Sequence, residues 1–126
     1  MHNDKKFLFH ELKERFAEAV SRNRAEGILF SGGLDSSLVA AYAKNSKAIS
    51  VGFESYGEDR YYAGKAVKFL KLDHYHRTVT IDEAIAAIPK VIKILESFDP
   101  AIPNDVTAYL GLKCAKNMGI NSMMTG

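Results

Sequence analysis

The chain has 126 residues, a length that one compact domain accommodates without a second. Its hydrophobic share of 47% and charged share of 25% are those of an ordinary globular protein, and no apolar run nears the roughly 18 residues of a membrane-spanning helix. A net charge of +2, from 17 basic and 15 acidic side chains spread along the chain, gives no nucleic-acid footprint. The lone Cys114 excludes an internal disulfide and a cysteine zinc cluster, and the polar start is not a secretory signal. A cytoplasmic, reducing compartment is the expectation.

In chain order, Leu8, Leu12, Phe16 and Val20 recur at helical spacing and predict an amphipathic helix from Lys5 to about Asn23. The apolar run Gly27-Ile28-Leu29-Phe30 reads as a buried strand that enters a Ser-Gly-Gly turn, with a helix over Leu34 to Lys44 behind it. Ala48 to Phe53 predicts the second strand, followed by a loop from Glu54 to Asp59 around Gly57. A helix from about Asp59 to Leu72 buries Tyr62, Ala63, Ala66, Val67 and Leu70 and turns its lysines outward. Tyr75 to Thr80 alternates as a strand.

Thr80-Ile81-Asp82-Glu83 matches a capping box, in which hydroxyl and carboxylate satisfy each other's orphan amides. The helix behind it carries Ala84, Ile85, Ile88, Val91, Ile92 and Leu95 on one stripe. Pro89 falls inside that stripe, and a mid-helix proline costs about 3 kcal/mol, so a kink or two short helices are expected. Asp99 to Pro103 reads as a loop, Asp105 to Met118 as a helix stopped by Gly119, and Asn121 to Met124 as a last short strand. This alternation predicts a Rossmann-like α/β fold, a three-layer sandwich whose central parallel sheet of four strands is covered by helices on both faces.

The chemistry concentrates in Ser31-Gly32-Gly33-Leu34-Asp35-Ser36-Ser37. A loop that follows a buried strand and opens a helix sits at the carboxyl edge of a parallel sheet, where such folds bind ligands. Gly32 and Gly33 let a phosphate approach the main chain, and the helix start offers free amides and the positive end of a dipole. The hydroxyls of Ser31, Ser36 and Ser37 add donors for phosphate oxygens. Asp35 beside phosphates makes sense with Mg²⁺ between them, since Mg²⁺ commonly bridges a carboxylate and substrate phosphates. The loop lacks the Gly-Lys-Ser/Thr ending of a Walker A motif and lacks G-x-G-x-x-G. A grip on pyrophosphate through amides, hydroxyls and magnesium suits ATP cleaved to AMP and pyrophosphate.

Phe30 to Ser37 resembles the Ser-Gly-Gly-x-Asp-Ser loop of the PP-loop ATP pyrophosphatases. The continuation is similar to the synthetase domain of asparagine synthetase B: Ser50 to Phe53, Tyr62-Ala63 through Leu70, His74, His76, Ala84, Ile88-Pro89, Val91-Ile92, Leu95-Glu96, Asp99-Pro100 and Met124-Thr125-Gly126. The resemblance implies that aspartate attacks the α-phosphorus of ATP, giving an acyl-adenylate that ammonia converts to the amide. It implies that Ser31, Gly32, Gly33, Asp35, Ser36 and Ser37 hold pyrophosphate and magnesium, and that Phe30, Val51 and Gly126 surround the adenosine largely through backbone groups.

Two departures bear on activity. Residue 2 is His2, where glutamine-dependent members have the cysteine of a glutaminase, so ammonia or a separate glutaminase would supply nitrogen. The family's second acidic pyrophosphate motif and later lysine do not follow within residues 1–126, which reads as the front part of a single synthetase-type domain. Another branch of the superfamily (other amide or lactam synthesis, NAD or GMP synthesis, tRNA modification) and an ATP-binding module without turnover remain the alternatives. An exposed sheet edge or apolar patch would favour a homo-oligomer.

The remaining candidates take plainer roles. Cys114 is expected in the core, and His74 and His76 in packing or at the surface, with no third ligand for a metal. Glu96 and Asp99 are expected at the surface or in caps, and Tyr61, Tyr62 and Tyr109 in helix packing.

Overall fold

The computed structural model describes residues 2–54 and 58–126, so the loop expected around Gly57 lies outside the described residues. In chain order the elements are α1 (His2–Arg22), β1 (Gly27–Leu29), α2 (Leu34–Tyr42), β2 (Lys47–Phe53), α3 (Glu58–Leu70), β3 (His74–Val79), α4 (Ile81–Leu95), α5 (Ile102–Asn117) and β4 (Met123–Met124). The strands form one sheet in the order β3-β2-β1-β4, and every pairing is parallel. Among the described residues, no helix is long and apolar enough to cross a membrane.

The layers follow from the period-two alternation of side chains along a strand. Ile28, Phe30 and Ala48 point to one face, where they pack with Val20 of α1, Ala40 and Ala43 at α2 and Ala63 of α3. Val51 and Val79 point to the other, against Ala87 and Val91 of α4 and Val106 and Leu110 of α5. Ile49 joins Cys114 and Ala115 there, so the cysteine is a core residue. Two crossovers therefore run over the first face from β1 to β2 to β3. The third returns over the opposite face to place β4 on the far side of β1.

Helix ends are set locally. Gly119 has φ 79°, the Ile120 amide reaches the Ala115 carbonyl at 3.0 Å, and the Gly119 amide reaches Lys116 at 3.0 Å, which is a Schellman stop. Ile120 then packs against Ala115, the apolar contact that accompanies this stop. At α4 the Thr80 hydroxyl accepts from the Glu83 amide at 3.2 Å, but the Glu83 carboxylate pairs with the Arg77 guanidinium. Only half of the expected capping box forms, because a charged partner from β3 outcompetes a neutral amide.

Other expectations are revised by tertiary context. α4 is one continuous helix through Pro89. Pro89 and Ile85 both lie on the exposed side, where water can satisfy the carbonyl left without an amide partner. The buried stripe of α4 accordingly runs through Ala84, Ala87, Ile88, Val91 and Ile92, while Ile85 and Leu95 are exposed. In α1 only Phe16 and Val20 reach the core, and Leu8 and Leu12 stay exposed with Phe7 and Phe9. At 21 residues α1 spans about 30 Å, and its core contacts come from the C-terminal half. Tyr61 and Tyr62 are also exposed, stacked edge-on to each other at 5.5 Å with Lys65 over the Tyr61 ring, whereas Tyr109 packs against the α4–α5 core.

Leu110, 1% exposed, anchors the second layer against the sheet. Replacing it with alanine is expected to cost about 3 kcal/mol by cavity creation, whereas Leu112→Ala on the outer side should cost no more than about 0.5 kcal/mol. Urea denaturation of both variants checks the assignment, and equal losses would contradict it.

Candidate functional site: the strand-to-helix turn after the first strand

β1 is flanked on both sides by parallel strands whose crossovers lie on opposite faces. That reversal opens a crevice at the carboxyl ends of β1 and β4, the position at which open α/β sheets take ligands. The loop from Phe30 to Gly33 leaves β1 at that crevice and turns directly into α2.

Gly32 makes the turn with φ 81°, a conformation that L side chains resist. It also lies against α3 so closely that a Cβ there would stand 2.7 Å from the Ala63 Cα. Gly33, with extended φ −70° and ψ 169°, occupies the N-cap of α2 without a side-chain cap. The first-turn amides of α2 are thus left for an anion, with the helix dipole behind them.

Two of the three serine hydroxyls expected to serve phosphate also bond within the loop. Ser36 is buried, and its hydroxyl donates to the Gly33 carbonyl at 3.2 Å. It accepts from the Ser31 amide at 3.3 Å and lies 3.0 Å from the Ser31 hydroxyl. Ser31 Oγ in turn accepts from the Gly33 amide at 3.2 Å. Two of the three hydroxyls therefore shape the loop from within. Sequence alone could not separate this use from an outward one, since both need the same residues at the same spacing.

Ser37 is half-buried, its amide closing the first helical bond to Gly33 at 3.0 Å. Asp35 is exposed in the first turn of α2. Among the described residues, no group of three or more His, Cys, Asp or Glu side chains is placed to hold a metal. A single carboxylate beside uncapped amides fits an ion that arrives with phosphates, the usual habit of Mg²⁺.

Gly126, following β4, lies on the same turn: a Cβ there would stand 2.7 Å from the Ser36 nitrogen and 3.0 Å from the Asp35 carbonyl carbon. Any side chain at 126 would strike the start of α2, so glycine is what lets β4 run up against it. Phe30 is 2% exposed with its ring in the core, and the Val51 side chain packs on the opposite face toward α5. What these two residues can present at the crevice is backbone. The structure thus brings the loop, Phe30 and Gly126 together, with Val51 on the neighbouring strand.

His74, given a plain role by sequence, also reaches this turn. His74 Nε2 is 2.8 Å from Ser50 Oγ, and Ser50 Oγ is 2.5 Å from the Phe30 carbonyl oxygen. The period-two spacing of His74 and His76 gave their shared face, but the pairing with Ser50 depends on strand order. Glu96 is exposed at the left-handed C-cap of α4. Asp99 accepts from the Ala101 amide at 2.7 Å and from the Ser97 hydroxyl, organising the turn into α5.

Comparison with known proteins agrees with this architecture. The family described as Asparagine synthase matches residues 11–126. A probable glutamine-hydrolyzing asparagine synthetase of Acanthamoeba polyphaga mimivirus is 38% identical across 71% of this chain and 18% of that protein. Its counterpart in Dictyostelium discoideum is 31% identical, covering 91% of this chain and 25% of that protein. The solved structure of NMN synthetase from Francisella tularensis superposes with a TM-score of 0.56 at 20% identity, over 86% of this chain and 50% of the other, and speaks for the fold. The fold and site define a PP-loop synthetase domain of Rossmann-like α/β type. The chain belongs to the asparagine synthase family, the match lies in the synthetase domain, and it spans about a quarter or less of the length of these curated relatives.

Gly32→Ala should cost about 1–2 kcal/mol from the left-handed backbone alone, and more from the contact with α3. Thermal unfolding of the variant checks this, and an unchanged midpoint would contradict the close packing. His74 yields a pH prediction. Burial pushes its pKa below the ordinary 6.5, His76 adds to the depression, and Asp73 offsets part of it. The unfolded chain therefore binds the proton more readily, so stability is fully present above about pH 6.5 and falls as pH drops toward the folded-state value. His74→Phe should flatten this slope in urea unfolding between pH 8 and about 5.5; parallel slopes would contradict it.

Proposed function

We propose that this domain binds ATP at the Phe30–Ser37 turn and supports carboxylate activation with release of pyrophosphate. The observation that carries the reading is the uncapped start of α2, set by Gly32 and Gly33 at the crevice between β1 and β4. Its amides, with the Ser37 hydroxyl, would receive the β- and γ-phosphates. The Asp35 carboxylate would meet the Mg²⁺ carried by those phosphates, which screens the charge of departing pyrophosphate. Phe30, Val51 and Gly126 would bound the adenosine through backbone groups, since the Phe30 and Val51 side chains are committed to packing and Gly126 has none.

In the reaction proposed for the whole enzyme, a carboxylate oxygen, most simply that of aspartate, attacks the α-phosphorus. The bond to the bridging oxygen breaks, pyrophosphate leaves and an acyl-adenylate forms. Ammonia, free or delivered by a glutaminase, then displaces AMP to give the amide. Membership of the asparagine synthase family supports aspartate as the acceptor. The absence of a membrane-crossing helix among the described residues is compatible with a cytoplasmic setting.

Exchange of labelled pyrophosphate into ATP, stimulated by aspartate, is the expected activity. Asp35→Ala is expected to lower it at least about tenfold, the loss of one charge-assisted contact. Stimulation by a different acid would move the acceptor to another branch of the superfamily. Mg-ATP binding without any exchange would leave a nucleotide-binding unit, and no binding by calorimetry would overturn the reading.

A further inference from the structure

Beneath the turn, one group just past β1, one on β2 and one on β3 form a single hydrogen-bonded chain. Ser50 Oγ lies 2.5 Å from the Phe30 carbonyl oxygen, and His74 Nε2 lies 2.8 Å from Ser50 Oγ. A carbonyl oxygen only accepts, so the Ser50 proton is committed to Phe30. Ser50 Oγ is then an acceptor toward the ring, and His74 Nε2 must carry the hydrogen. Both the neutral Nε2–H tautomer and the imidazolium meet that requirement, so the donor survives protonation. The His74 ring also stands edge-on to Phe30 at 5.9 Å, bracing the same residue a second way.

The ladder explains what the chain acts on. The Lys47 amide bonds to the Glu26 carbonyl, and the Phe30 amide bonds to the Ile49 carbonyl, so odd-numbered residues of β2 direct their backbone groups toward β1. The Val51 amide points the same way, toward Phe30. The Val51 amide is the next donor in that ladder, yet the Phe30 carbonyl takes the Ser50 hydroxyl, at the point where the strand becomes the loop. The apolar side chains of Ile28, Ala40, Ala48 and Ala63 cluster on this face, and the His76 ring stands 6.2 Å from that of His74.

We propose that Ser50 and His74 are positioning residues for adenine-nucleotide binding: they hold the Phe30 carbonyl to the Ser50 side and leave the Val51 amide to the base. The proposal rests on the reading that ATP binds at this turn. Neither residue need touch the nucleotide, and both act through the backbone of Phe30 and Val51.

Calorimetry with AMP and, separately, Mg-pyrophosphate tests it on Ser50→Ala, His74→Phe and His74→Gln. Ser50→Ala and His74→Phe should weaken AMP about three- to tenfold, the worth of one hydrogen bond, and leave Mg-pyrophosphate within about twofold. His74→Gln, which restores an N–H near the Nε2 position, should bind AMP within about twofold of the wild type. Nitrogen-15 spectra at pH 7.5 should show His74 in the Nε2–H form. Thermal unfolding confirms that each variant is folded, and Ser50→Ala, a small change, serves where His74→Phe does not fold. Unchanged AMP affinity in folded Ser50→Ala, or equal losses for AMP and pyrophosphate, would overturn the proposal. Wild-type protein that binds neither ligand would instead overturn the ATP reading on which it rests.

Discussion

The parallel pairing of β1 with both β2 and β4 is the constraint from which the rest follows. Parallel strands need crossovers, and a crossover of fixed hand that moves outward covers one face while one that doubles back covers the other. The helices α1 to α3 and α4 to α5 are therefore sorted onto opposite faces by strand order. Every carboxyl end then lies at one edge, and the reversal at β1 opens that edge at a single place. The Ser-Gly-Gly turn works as an anion cradle because it leaves β1 there.

Within the turn, conformational demand and binding capacity are met by different groups. Gly32 takes the left-handed backbone and the close approach to Ala63. The Ser31 and Ser36 hydroxyls bond to each other and to Gly33, so the loop is braced from within. With the shape fixed internally, the first-turn amides of α2 need not reorganise when an anion arrives. Preorganised backbone donors hold charge more effectively than side chains that must first be ordered.

The same economy extends below the turn, where Ser50 and His74 form a polar chain beside the apolar cluster of Ile28, Phe30 and Ala48. A buried hydroxyl is costly unless both its roles are filled, and here the Phe30 carbonyl and the His74 ring fill them. The half-buried histidine accordingly favours its neutral form, which still donates to Ser50. This arrangement links the edge strand β3, through β2, to the first residue of the loop.

The sequence by itself determined the element order, the parallel sheet and the loop at the carboxyl end of the first strand, because these are local signals. Periodicity gave the helices and strands, two glycines gave the turn, and Gly119 gave the stop of α5. Tertiary structure alone decided which helical positions are covered: Leu8, Leu12 and Ile85 follow the apolar period but face solvent. It redirected the Glu83 carboxylate to Arg77 and kept α4 continuous through Pro89, whose missing bond lies on the wet side. It also brought Gly126 onto the start of α2 across 90 residues of chain and set His74 against Ser50. Such contacts depend on strand order and register, which period and composition along a chain do not encode.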